Sequence, residues 1–206
     1  MNAQDWFVNN EGQCQPRPAA REWDLLRETY YLHQFLTETL DIVANAPHEK
    51  DEWDYLPQIR RQVRQFVLNS YWVKTCFDAP NAHTGVSVTT LYDEIGYPLT
   101  VQNVATQPGL LTSIHNHGTW GVVFQIEGEE RHIFWRRVKA SDESVRVEVV
   151  GEHCLRPGEM ISFHPDAIHQ VETLGDQDSL TFQLYGDTQP QGRFQYQPET
   201  QTAKPF

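Results

Sequence analysis

The chain has few cysteines, and this shortage narrows the class of protein. Only three occur among 206 residues, at Cys14, Cys76 and Cys154, and none belongs to a CxxC pair. Cysteines this few and scattered do not form a disulfide framework, so we expect a reduced, cytoplasmic protein. The sequence also has no basic, apolar leader and no apolar run of about 18 residues. We therefore expect neither a signal peptide nor a membrane span.

Positive charge is also scarce. Lysine and arginine total 16 against 28 acidic residues, which gives a formal net charge of −12. Polyanions repel a chain of this charge, so we expect neither nucleic acid nor an anionic membrane as a partner. A small anionic ligand is not excluded, because one arginine acts strongly at close range inside a pocket. The length suits a single domain with a substantial core.

The first third of the chain is predicted to hold an extended arm and two helices. Residues 1–20 are polar and contain prolines, which favours the arm. Apolar residues at three- and four-residue steps predict one helix over 21–45, ending near Asn45 and Pro47, and another over roughly 52–72. The arginines of the second helix are expected to form a solvated face: Arg60, Arg61 and Arg64.

From residue 81 the sequence becomes β-rich, with turn residues between short apolar runs. Nine runs at this spacing predict a mainly β fold, an antiparallel sandwich or barrel. They are VSVTTLYDE, LTVQNVAT, LLTSIHNH, WGVVFQIE, RHIFWRRV, VRVEVV, EMISF, HQVETL and SLTFQLY. The glutamine- and proline-rich tail from Asp187 is expected to wrap the surface or stay mobile. This divides the chain into a helical segment (1–80), a barrel (81–187) and a tail (188–206).

Two histidines stand one residue apart in SIHNHGTWGVVFQIEGEE, residues 113–130. In an extended chain alternate side chains project to the same side, so His115 and His117 point together. On the inner wall of a barrel they would reach one metal ion. The alternative is a polar turn that caps a strand end in water. A second histidine-bearing stretch, PGEMISFHPDAIH, follows a turn and ends at His169.

Together these stretches resemble the two motifs of the cupin superfamily, a double-stranded β-helix (jelly-roll) barrel with metal ligands on its inner wall. Four positions fit the first motif: Gly109, His115, His117 and Gly128. Where that motif usually has a glutamate ligand, this chain has Gly121. The second motif supplies His169, 52 residues after His117, with His164 as a reserve ligand. The resemblance covers roughly residues 88–186.

Without the carboxylate, the ligand set is similar to that of the three-histidine thiol dioxygenases, the group of cysteine dioxygenase and mercaptopropionate dioxygenase. The run HNHGTWGVV resembles bacterial members of this group. The resemblance implies Fe(II) held by His115, His117 and His169, and oxidation of a small thiol to its sulfinate with O2. Three neutral imidazoles leave the full charge of the ion for an anionic thiolate. Zinc, nickel and manganese are alternatives, since three histidines also suit zinc.

The same group implies further site residues. Its late-strand Ser-x-His-x-Tyr run corresponds to Thr181, Gln183 and Tyr185, of which Tyr185 alone matches. Gln183 can donate a hydrogen bond to Tyr185 but cannot titrate. The crosslink between cysteine and tyrosine found in mammalian cysteine dioxygenases is not expected, because Gly121 stands in that neighbourhood.

The residues that bind the substrate follow the family pattern less closely. No arginine occurs on the early strands where cysteine dioxygenases hold the substrate carboxylate. Arg193 is the candidate anchor, against the alternative of an exposed tail arginine. The other predicted pocket residues are Gln102, Thr89 and Trp120. Acidic residues of the turn, Glu127, Glu129 and Glu130, are expected to face water, and His132 is interpreted as an ordinary strand residue.

Three functions remain open from the sequence. The first is a non-haem iron thiol dioxygenase whose partners are a small thiol and O2, with the oligomeric state left open. The second is a metal-binding cupin with other chemistry, such as an isomerase, a hydrolase or a different dioxygenase. The third is a non-enzymatic cupin that binds a small ligand. A DNA-binding regulator is disfavoured, because no basic segment is present.

Overall fold

The computed structural model describes residues 4–46, 55–138, 145–187 and 190–205, which form two helices and thirteen strands. The helices are α1 (Leu32–Ala44) and α2 (Leu56–Asn69), and single 3-10 turns lie at Glu22–Asp24, Tyr71–Lys74 and Pro190–Gly192. The strands are β1 (Asp5–Val8), β2 (Cys14–Arg17), β3 (Val86–Asp93), β4 (Thr100–Thr106), β5 (Ile114–His115), β6 (Gly121–Glu127), β7 (Glu129–Val138), β8 (Arg146–Leu155), β9 (Met160–Phe163), β10 (Ile168–Leu174), β11 (Ser179–Tyr185), β12 (Phe194–Gln197) and β13 (Thr202–Pro205).

Eight consecutive strands, β4 to β11, form a jelly-roll barrel. They divide between two sheets, in the order β9-β6-β11-β4 in the first and β5-β10-β7-β8 in the second. All pairs within these two sets are antiparallel. This alternation of strands between facing sheets is the double Greek key of a jelly roll. The mainly β barrel predicted from the sequence is confirmed, and the nine predicted runs correspond to β3–β11.

The remaining strands extend both sheets. In the first sheet β3 lies beside β4, while β1 pairs with β9 in parallel and with β2 in the antiparallel sense. The predicted N-terminal arm is therefore extended but hydrogen-bonded into the sheet. In the second sheet β12 pairs with β5 and β13 with β12. The tail is thus an ordered edge hairpin on the sheet that carries the histidines.

The two helices pack on the outer face of the first sheet. Phe66 of α2 lies against Phe182 of β11 (ring centroids 5.6 Å apart) and stacks on Phe35 of α1 at 4.5 Å. The predicted start of α1 near residue 21 is wrong. The helix begins at Leu32. Before it Trp23 and Leu26 are 85% and 57% exposed, so only part of the apolar periodicity there packs against the core.

The second helix is confirmed over Leu56–Asn69, within the predicted range. Pro57 occupies its first turn, where the missing amide hydrogen costs nothing. The bounds predicted at Pro47 and residue 52 lie outside the described residues. No described helix has the length and apolar character needed to cross a membrane.

The prediction that the arginines of α2 face solvent is wrong for two of the three. Arg60 and Arg64 are 4% and 0% exposed, whereas Arg61 is exposed. Arg64 forms an ion pair with Asp5 of β1 and donates to the Gly158 carbonyl at 2.8 Å. Arg60 approaches the same Asp5 carboxylate at 3.6 Å. A buried carboxylate thus joins the N-terminal strand to the helix and compensates two buried cations.

We expect Asp5→Asn to lower the free energy of unfolding by about 3–5 kcal/mol, because it leaves two guanidinium groups buried without a counterion. The matched control is Asp24→Asn, which breaks an exposed pair with Arg21 and is expected to change stability by less than about 0.5 kcal/mol. Chemical denaturation of both variants measures the difference. If Asp5→Asn lowers the free energy of unfolding no more than Asp24→Asn does, the buried cluster does not stabilise the fold.

Candidate metal centre

Three histidines from different parts of the chain converge at one end of the barrel. His115 ends β5, His117 follows in the next loop, and His169 lies on β10 directly opposite His115. Their potential ligand atoms all lie within 4.8 Å of one another, and the Nε2 atoms of His117 and His169 are 2.9 Å apart. Nitrogens this close are suited to sharing one metal ion.

Local structure explains why both histidines of the HNH run face inward although β5 ends at His115. The intervening Asn116 is fully buried and points the other way. Its amide donates to the Gly192 carbonyl at 2.7 Å and accepts from the Phe194 backbone N–H at 2.9 Å. These bonds to the C-terminal segment keep the loop extended, so alternation continues past the strand end.

The ring orientations and protonation states fit a metal-binding role. The Nδ1 atom of His115 lies 2.9 Å from the Ser113 carbonyl, which leaves Nε2 to face the cluster. Burial, reinforced by the neighbouring imidazoles, holds the pKa of His117 and of His169 well below 6.5. Both rings are therefore neutral at pH 7 and keep a free lone pair. Among the described residues, no acidic side chain joins this cluster.

The absence of a carboxylate at position 121 has a direct structural cause. Gly121 of β6 lies opposite Tyr185 of β11, and a Cβ built on Gly121 would stand 2.7 Å from Cε1 of that tyrosine. The phenol ring fills this space and stacks on His117, with ring centroids 4.6 Å apart. A tyrosine thus fills the space beside the cluster that a side chain at position 121 would need.

Tyr185 ends a short chain of hydrogen bonds along β11. Its hydroxyl donates to Oε1 of Gln183 at 2.8 Å, and Nε2 of Gln183 donates to Oγ1 of Thr181 at 2.9 Å. Gln102 on β4 donates to the same Oε1 at 3.1 Å. Gln183 therefore accepts a hydrogen bond from Tyr185 and does not donate the one of which its amide is capable. Burial raises the pKa of Tyr185, so the phenol is protonated at neutral pH.

The histidine cluster opens into a cavity of about 530 Å³ between the two sheets. Gln102, Gln183, Tyr185 and Arg193 all line it. Arg193 reaches the cavity because β12 pairs with β5, which brings the preceding residue to the barrel mouth. The alternative of an exposed tail arginine is thus wrong, since Arg193 is partly buried beside the histidines.

Two predicted pocket residues lie elsewhere. Thr89 pairs with Asn103, whose amide faces the helices, and Thr89 accepts a hydrogen bond from the Asp78 backbone on the same outer side. Trp120 is buried in the core between the first sheet and the helices, where Tyr55 packs against it. Strand alternation directs Thr89 away from the cavity, and Trp120 precedes β6 with its side chain packed among the core residues on the helix side.

The structure adds two cavity residues that the sequence did not indicate. Glu130 and His132 of β7 are 3% and 1% exposed and line the cavity, against the expectations of a water-facing turn and an ordinary strand residue. The sequence alone contained one indication of this placement. Glu130 and His132 alternate with Phe134 along the strand, so all three side chains share the inward face. The reserve ligand His164 lies beside Phe7 instead, with ring centroids 5.3 Å apart.

Comparisons with known proteins give similarity at the level of the barrel. No protein-family model matches the chain. An oxalate oxidase solved with glycolate is 16% identical over 56% of this chain and 58% of its own, with a TM-score of 0.43. A KdgF from Halomonas sp. (14%, covering 53% and 86%, TM-score 0.40) and a cupin superfamily protein from Desulfitobacterium hafniense (13%, covering 55% and 85%, TM-score 0.42) are also similar. At identities and TM-scores this low, the comparisons do not indicate the function of this chain.

We expect His117→Ala to abolish metal retention while the strand content measured by circular dichroism stays near wild type, because the histidine is a loop residue with no ladder hydrogen bonds to lose. The control is His83→Ala, since His83 is exposed and lies outside the cluster. Metal content after gel filtration is the measurement. Unchanged stoichiometry in His117→Ala would show that the ligand assignment is wrong.

Gly121→Ala is expected to cost about 1–3 kcal/mol of stability, because the new methyl group overlaps the ring of Tyr185. In a Tyr185→Ala background the same substitution should cost almost nothing. A thermodynamic cycle of the four proteins measures this coupling. Additive losses would mean that the two residues do not share the space beside His117.

Proposed function

We propose that this protein is a metal-dependent cupin-type oxidoreductase, a non-haem Fe(II) dioxygenase that converts a small thiol to its sulfinate. The observation that carries the proposal is the composition of the centre. Three neutral imidazoles converge there, and a protonated tyrosine replaces the usual carboxylate ligand. This set leaves the charge of a bound ion uncompensated, which favours an anionic thiolate as the incoming ligand.

The overall reaction is balanced by its two substrates. R–SH and O2 give R–SO2H, so that both oxygen atoms are transferred to sulfur, which loses four electrons while dioxygen gains four. Fe(II) held by the three histidines would supply a Lewis acid for the thiolate and one-electron chemistry for dioxygen. No external reductant is needed.

Tyr185 is the residue placed to act on the reacting atoms. It touches His117 through its ring, and its hydroxyl is held by Gln183. A phenol with a raised pKa keeps its proton at neutral pH. Its single O–H, which donates to Gln183 in this structure, would turn from Gln183 to donate to a sulfur- or oxygen-centred negative charge on the substrate. Gln183 orients this hydroxyl without titrating, because an amide neither gains nor loses a proton in this range.

Arg193 supports an anionic substrate. Its guanidinium lines the cavity close enough to the cluster to lower the pKa of His115 and His117, a smaller effect than that of burial. A fixed cation here attracts a thiolate or a carboxylate and pairs with the latter in bidentate geometry. Mercaptopropionate-like and cysteine-like thiols both carry such a group.

Protein purified without oxygen should contain iron and consume dioxygen only when a suitable thiol is added, with one O2 used for each sulfinate detected by mass spectrometry. Tyr185→Phe should lower kcat about 100-fold or more, because the hydroxyl is lost while the ring and the metal site remain. Tyr97→Phe, on an exposed turn, is the control and should not change kcat.

The contrary outcomes separate the remaining functions. Tightly bound iron with no thiol-dependent oxygen uptake would indicate other chemistry in the same barrel. Tightly bound zinc, nickel or manganese with no oxygen uptake would indicate hydrolysis or isomerisation. Protein that retains no metal would indicate a non-enzymatic small-ligand-binding role.

A further inference from the structure

A second polar group lies inside the barrel, beyond the histidine cluster. In the ladder between β10 and β7, His169 is opposite Phe134, Val171 opposite His132, and Thr173 opposite Glu130. Successive inward-facing rows of a sheet lie two residues, or about 7 Å, apart. His132 is thus one row deeper than the metal-binding row.

His132 has unused hydrogen-bonding capacity. The side chain is 1% exposed, and neither Nδ1 nor Nε2 has a hydrogen-bond partner among the described residues. Oε2 of Glu130 lies 3.5 Å from Nε2, and the ring of His169 lies 5.8 Å from the imidazole of His132 between centroids. A buried polar atom without a partner costs free energy. Both nitrogens have almost no accessible surface in this structure, so a guest in the cavity supplies the missing bond only when the ring turns toward it.

Glu130, in contrast, is firmly held. Its Oε1 accepts a hydrogen bond from the Ser179 hydroxyl at 2.8 Å, and that hydroxyl accepts one from the Gln125 amide at 2.7 Å. All three side chains are buried. The carboxylate is therefore fixed behind His132 and attracts the Nε2 proton, which leaves Nδ1 as a hydrogen-bond acceptor.

We propose that His132, oriented by Glu130, is a second binding point of the cavity and accepts a hydrogen bond from an amino or hydroxyl group of the molecule held at the histidine cluster. The inference rests on the proposed function in that the metal is assumed to bind one end of the molecule. It adds a requirement at the other end, where a hydrogen-bond donor lies about one row of the sheet from the metal-binding atom.

The test uses zinc-loaded protein without oxygen, so that binding is measured without reaction. Three thiols with the same three-carbon chain are titrated by calorimetry: aminopropanethiol, mercaptopropanol and propanethiol. The wild-type protein should bind the first two roughly tenfold more tightly than propanethiol, the effect of one good hydrogen bond. In His132→Phe, which keeps the ring but lacks both nitrogens, this preference should disappear.

A second pair of variants distinguishes the two donor groups and protects the test against misfolding. Glu130→Gln keeps an acceptor for Ser179 and removes the charge, so it should weaken binding of the amine more than that of the alcohol if an ammonium is the natural group. Equal weakening would identify a hydroxyl. Glu129→Gln, exposed on the same strand, is the control and should leave all three dissociation constants unchanged.

Equal affinities for the three thiols in the wild-type protein, no binding of any of them, or a preference that survives in both His132→Phe and Glu130→Gln would overturn the inference. Failure of the proposed function has a different signature. A donor preference that depends on His132, with no sulfinate formed by the iron-loaded protein, would reject the dioxygenase activity and leave this binding point standing.

Discussion

The site depends on one constraint, the register of β10 against its neighbours in the second sheet. His169 faces the cavity opposite His115, while Ile168 faces the other way. A slip of one residue would exchange the two and remove a ligand from the cluster. The register is held from outside, because Ile168 is buried in an apolar cluster with Ile114 and Tyr196. Packing on the outer face thus fixes the positions of the three clustered histidines on the inner one.

The centre also depends on a complementary pair of residues on two strands of the first sheet, a glycine on β6 and a tyrosine on β11. Gly121 alone would leave a gap beside the histidines, and Tyr185 alone would have no room. Together they place a neutral hydroxyl-bearing ring, and no acidic side chain, against His117. The phenol fills the space beside His117 as a larger side chain at position 121 would, but it brings no negative charge to the centre. An ion bound there keeps a net charge that only an incoming anion can balance.

Local patterns in the sequence predicted the barrel strands and the histidine set, because each depends on residues that are close in the chain or on a spaced motif. They failed for Arg64 and Glu130, whose charges indicated solvent. The partners that allow burial are remote, since Asp5 lies 59 residues from Arg64 and Ser179 lies 49 residues from Glu130. A charged residue is interpreted as exposed until such a partner is known.

Charge is unevenly distributed along the cavity, with a cation at one end and a carboxylate at the other, and the net charge of the chain does not show this. Arg193 lies beside the histidines, and Glu130 lies two rows of the sheet deeper. Both owe their places to long-range pairing, Arg193 through the tail hairpin on β5 and Glu130 through β11. A guest with an anionic end and a hydrogen-bond donor at the other is therefore stabilised in one orientation and opposed in the reverse. Under the proposed function, this polarity would draw the anionic end of a small thiol to the histidine cluster and hold the remainder of the molecule beside His132 and Glu130.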